Sequence, residues 1–207
     1  METRALKPQT GQQIDYKGKK IGMWFFLSTE ILFFGGMFLL YSVYRFRYPL
    51  DFHAAAASED IVLGTINTAV LLTSSLAIAM SVSAIKRGDV RLSCLLQVAT
   101  AAMGVMFLVI KYFEWTAKIS AGIFPDSPVL LQRSKGEVIF FGLYYVMTGL
   151  HGLHVLIGVV VISFMVYFTA KGVISRENFA RLENTGLYWH FVDIVWIYLF
   201  PLFYLIT

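Results

Sequence analysis

The sequence predicts an all-α, polytopic membrane protein: a bundle of five transmembrane helices, with the N-terminus cytoplasmic and the C-terminus outside. Three observations predict it. Of 207 residues, 57% are apolar and only 14% charged, against about 45–50% and about 25% in soluble domains. The apolar residues gather into five long stretches, and together these take up most of the chain. The connections between the stretches are too short to fold alone. This composition excludes an ordinary soluble domain, a disordered chain and a nucleic-acid binder. The lone Cys94 excludes an internal disulfide framework and any multi-cysteine metal site.

The stretches cover residues 21–44, 61–85, 92–115, 138–168 and 185–206. A bilayer core of about 30 Å needs about 20 helical residues, and each stretch has them. Helices also satisfy their own backbone groups, which lipid cannot do. The fourth stretch is too long for one straight crossing and should tilt or project. Residues 1–20 read as a polar, basic N-terminal arm, and 21–207 as the membrane domain. The first stretch is too long for a signal-peptide core and reads as a retained span. Tyr48-Pro49-Leu50-Asp51, Lys86-Arg87-Gly88-Asp89 and Phe124-Pro125-Asp126-Ser127-Pro128 read as loops, the last because proline disfavours helix before it.

Loop charge sets the orientation. The arm, the second loop and the fourth loop carry 11 Lys and Arg residues on one side, against 5 on the other. The richer side is expected to be cytoplasmic. The pI near 9.1 is read as this topology rather than as a nucleic-acid patch.

Ionisable residues inside spans cost about 2.5–3.5 kcal/mol at the centre and face protein interiors. Glu30 lies ~14 Å into the first span and Asp193 ~12 Å into the last, with His190 one turn nearer the cytoplasm. His151 and His154, three apart, share a helix face. We expect Glu30, His151, His154, His190 and Asp193 to form a polar layer inside the bundle, or to contact a partner subunit. Lys111 and Glu114, also three apart, are expected to be a local pair near a helix end, with Lys111 reaching for the interface. The histidines raise haem binding, but an i,i+3 pair on one helix cannot approach a haem from opposite faces. Hydrogen-bonding core histidines are the simpler reading, and no metal, cofactor or catalytic residue is assigned to this chain.

Gly35-Gly36, Gly149, Gly152, Gly158 and the Ser/Thr-rich second span suit close helix approach. Trp24, Tyr41, Tyr44, Trp115, Tyr188 and Trp189 fall near span ends, as an interfacial belt would.

The motifs carry a resemblance. Tyr188-Trp189-His190-Phe191-Val192-Asp193-Ile194-Val195-Trp196, with Glu183 seven residues before the His, resembles the signature of subunit III of haem–copper oxidases. Met23-Trp24-Phe25-Phe26-Leu27-Ser28-Thr29-Glu30, then Phe33-Phe34, is similar to that family's first conserved span, with Thr29 where Ser is usual. Asn67–Ser75, Lys111-Tyr112-Phe113-Glu114-Trp115 and Thr148-Gly149-Leu150-His151-Gly152-Leu153-His154-Val155 resemble further family segments in order. Many members have two extra N-terminal helices, so the chain resembles the five-span bacterial form.

The resemblance implies an accessory subunit without haem or copper, in a bacterial inner-membrane oxidase that reduces oxygen and pumps protons. Subunits I and II are expected to hold the haems and copper. Subunit I is the implied direct partner, beside subunit II and, in complexes that have one, a small subunit IV. The electron donor would be cytochrome c or quinol. Phospholipid is an implied companion, with Arg181, Glu183 and Trp189 as candidate headgroup contacts. Alternatives are subunit III of a quinol oxidase and the accessory protein of a nitric oxide reductase. From other classes come a b-type haem cytochrome and a proton-coupled transporter, the latter disfavoured by the lack of paired repeats.

Overall fold

Seven helices account for nearly all of the described chain. A computed structural model describes the backbone of residues 9–206, and side chains from residue 20 onward. The helices are α1 (Gln9–Arg47), α2 (Pro49–Ala56), α3 (Ile61–Lys86), α4 (Val90–Ser120), α5 (Pro128–Leu131), α6 (Lys135–Ala170) and α7 (Ala180–Tyr204). Five of them, α1, α3, α4, α6 and α7, are long and apolar enough to cross a membrane.

Their ends are set by short polar residues. Asp60 accepts from the backbone N–H groups of Val62 and Leu63 at 2.9 and 3.1 Å, starting α3. Asp89 accepts from Leu92 at 2.9 Å at the start of α4. Ser134 accepts from Glu137 at 3.3 Å, and Asp51 of α2 accepts from the Gly136 N–H, so two side chains cap α6. Such caps satisfy donors that have no partner within the helix. Gly88 (φ 87°) and Gly172 (φ 73°) stop α3 and α6 in a left-handed backbone that glycine adopts without strain.

The helix ends differ from the sequence expectation in two ways. The arm is not wholly irregular, because residues 9–20 continue α1 as helix; residues 1–8 lie outside the described residues. Helix α6, expected to tilt or project, has 36 residues, ~54 Å at 1.5 Å per residue, far more than a straight crossing needs. Two connections read as loops contain the short helices α2 and α5, each opened by a proline in its first turn.

Helices α3 and α4 form an antiparallel hairpin, α6 packs on α4, and α7 closes the bundle against α3 and α6. The most apolar stretch of α7 is 56% buried and that of α1 only 11%. Helix α7 is therefore the core, and α1 an outer helix laid on α6 and α7. The Trp189 indole passes between α4 and α6, where a Cβ on Gly104 or Gly158 would come within 2.7 or 2.6 Å of it. These glycines make room for the largest side chain of the core. Gly35 and Gly36, expected at a helix contact, meet no side chain.

Candidate functional site

The candidate site is a run of polar side chains through the centre of the bundle. Near the α3–α4 turn, Gln97 Nε2 donates to Ser93 and Thr169 at 3.1 and 3.2 Å, and Ser93 meets Ser81 at 3.0 Å. Further along, α7 is pinned to α3 by three bonds in succession. Trp189 Nε1 donates to Ser74 Oγ at 2.9 Å. His190 Nδ1 meets Ser75 Oγ at 2.5 Å. Trp196 Nε1 donates to Thr68 Oγ1 at 3.0 Å. The two tryptophans, two helical turns apart, match Ser and Thr at similar spacing on α3.

The five residues expected to form one polar layer fall into separate groups. His154 Nε2 lies 3.2 Å from Glu30 Oε2 and joins α6 to α1. His190 and Asp193 of α7 both approach Ser75, although neither Asp193 oxygen reaches good hydrogen-bond geometry. His151 stands apart, stacked on Trp196 at 5.2 Å and edge-on to Phe107 at 5.4 Å. None of the five is exposed.

The Lys111–Glu114 pair is more than local, and Lys111 does not reach for the interface. Its ammonium turns inward, donating to Glu114 at 3.1 Å, to Tyr144 at 3.3 Å and to Tyr204 at 2.6 Å. Tyr144 and Tyr204 in turn donate to Glu114 Oε1 at 2.5 and 2.6 Å. Three of the spanning helices, α4, α6 and α7, meet in this one knot. Beside it, Lys118 lies 2.8 Å from Glu59, whose side chain is wholly buried. Burial pushes the Glu59 carboxyl above its ordinary range, against the pull of Lys118. The two tyrosines and Glu59 reach this point from separate elements, so no spacing along the chain marks them.

At the end where α1 begins, Glu183 lies 3.6 Å from Lys20 and 3.4 Å from Lys86, tying α7 to α1 and α3. Arg181 is exposed beside it. Trp189 is 0% exposed, so its ring meets protein on every side and offers nothing to a lipid headgroup. Tyr41 and Tyr188, also expected in an interfacial belt, turn inward too. Their hydroxyls donate to the backbone oxygens of Leu202 and His154.

Among the described residues, no group of three or more His, Cys, Asp or Glu is arranged to hold a metal. A groove of about 490 Å³ runs between α1 and α7, lined by Trp24, Phe34, Phe38, Phe191 and Tyr198 with His190 in its wall.

The profile of the family described as cytochrome c oxidase subunit III matches residues 9–207. The chain belongs to the cytochrome c oxidase subunit III family. It is similar to a cytochrome c oxidase subunit 3 of Thermostichus vulcanus, 33% identical over 90% of this chain and 87% of the relative. It is also similar to a haem–copper oxidase subunit I+III of Aeropyrum pernix. That match is 31% identical over 89% of this chain, which spans 22% of that longer protein. A probable quinol oxidase subunit 3 of Staphylococcus saprophyticus is 25% identical over 90% of the chain and 88% of the relative. The chain is thus a subunit III of a haem–copper oxidase, of the cytochrome c or the quinol type. The five-span form expected from the sequence agrees with the five apolar helices.

Proposed function

We propose that this chain is the accessory, non-catalytic subunit III of a cytochrome c oxidase in a bacterial inner membrane. Its N-terminus would be cytoplasmic. It would pack directly on subunit I, with subunit II in the same complex, support the proton-uptake side of subunit I and hold phospholipid. The haems and copper would reside in subunits I and II, and oxygen would be reduced there. The single observation that carries this reading is the relative named as a fusion of subunits I and III. A fusion keeps both parts in one polypeptide, and this chain corresponds to one of them.

The polar chemistry of the site supports a scaffold. His190, the Glu30–His154 pair and Lys111 bond to other helices of the same chain, as buried polar groups require. Arg181, exposed beside Glu183, would meet an anionic headgroup at the cytoplasmic surface.

Purification in mild detergent with mass spectrometry of the companion chains tests the proposal. Subunits I and II should accompany this chain in equal amounts. Recovery of the chain alone, or with unrelated proteins, would refute it. A second reading, a quinol oxidase, is favoured by the Staphylococcus relative. A copper-binding domain on the accompanying subunit II separates the two readings.

A further inference from the structure

We propose that Asn67 of α3 and His151 of α6 hold an ordered water between them in the centre of the bundle. This goes beyond the role of the chain in an oxidase and concerns its interior alone. Both side chains are 0% exposed, and neither the Asn67 amide nor either ring nitrogen of His151 bonds to protein.

The two residues lie at one level. Thr100 and Ser74, then Ser81 and Ser93, set the antiparallel register of α3 and α4. That register carried outward brings Asn67 level with Phe107, whose ring touches both His151 and Trp196. Trp196 bonds to Thr68, the neighbour of Asn67. Helices α3, α4, α6 and α7 therefore bring Asn67, Phe107, His151 and Trp196 to the same depth.

The polar groups of Trp196, Thr68 and Lys111 are already committed, and Asp193, one turn before Trp196 on α7, approaches Ser75. The Trp196 N–H is given to Thr68, and the Thr68 hydroxyl to the Gly64 carbonyl at 2.8 Å. Lys111, one turn outward, is held by Glu114, Tyr144 and Tyr204. Phe107 offers no polar atom. In either neutral tautomer His151 has one N–H donor and one nitrogen acceptor, and Asn67 has both functions as well. Buried polar groups of this kind are costly unless paired. Water is small and both donates and accepts, and buried waters occur about once per 27 residues, bridging such groups.

The test is an electron cryomicroscopy map of the intact complex at a resolution that shows ordered waters. The expected result is a peak about 2.7–3.2 Å from both the Asn67 amide and a His151 ring nitrogen. A direct Asn67–His151 hydrogen bond would overturn the proposal, as would a peak that reaches only one of the two or no peak near either. The reading depends on this chain's interior alone, so failure of the oxidase assignment would leave it standing, and the reverse.

Discussion

Trp189 donates its indole N–H to the Ser74 hydroxyl at 2.9 Å, across the contact of α7 with α3. The same ring fills the space left by Gly104 and Gly158. One side chain thereby fixes the spacing of four helices, by a bond on one side and by steric fit on two others.

Gly104→Val or Gly158→Val should therefore drive a side chain into that ring. Overpacking of this kind costs about 1–3 kcal/mol. Thermal unfolding in detergent should show a lower midpoint for either variant. Gly36→Val, where nothing lies within 4 Å, should leave it unchanged.

Lys111→Met leaves Glu114 buried without its cation. Breaking one side of a buried pair costs about 3–5 kcal/mol. The double variant Lys111→Met/Glu114→Gln removes both charges and should recover most of the loss. A double variant no better than the single one would show that the two charges do not act as a pair.

Helix α1 has little buried surface and depends on a few anchors, of which Glu30–His154 lies deepest. Glu30→Ala should weaken the hold of α1 by about 0.5–1.5 kcal/mol. Faster cysteine labelling at positions lining the α1–α7 groove, such as an introduced Leu27→Cys, would report it.

Glu59 titrates above its ordinary range because it is buried. A carboxyl raised in the folded state contributes its stability below the unfolded value, about 4.3, and loses it as pH rises through the folded value. The Tm of Glu59→Gln should therefore gain on the wild type as pH rises above about 4.3. A constant gap between the two across that range would show that burial does not raise the Glu59 carboxyl.

Much of the fold was legible because lipid leaves few choices: an apolar run of sufficient length must be helical, and five runs give five helices. The short helices α2 and α5 were not, since an interfacial turn of helix carries no long apolar period. In the site, His190 and Asp193, three residues apart on α7, both approach Ser75. The same spacing misjudged Lys111, because Tyr144 and Tyr204 arrive from α6 and α7 and only the packed bundle brings them to it. Trp189 looked like an interfacial tryptophan by its place near a span end. The glycines that receive it lie 31 and 85 residues before it in the chain, where spacing within one helix carries no signal.

We propose that this chain scaffolds an oxidase without holding any of its redox centres. Strip it from the purified complex and measure haem and copper per subunit I. Metal content should be unchanged, with oxygen reduction retained by the remaining subunits. Loss of a haem or a copper in step with this chain would contradict it.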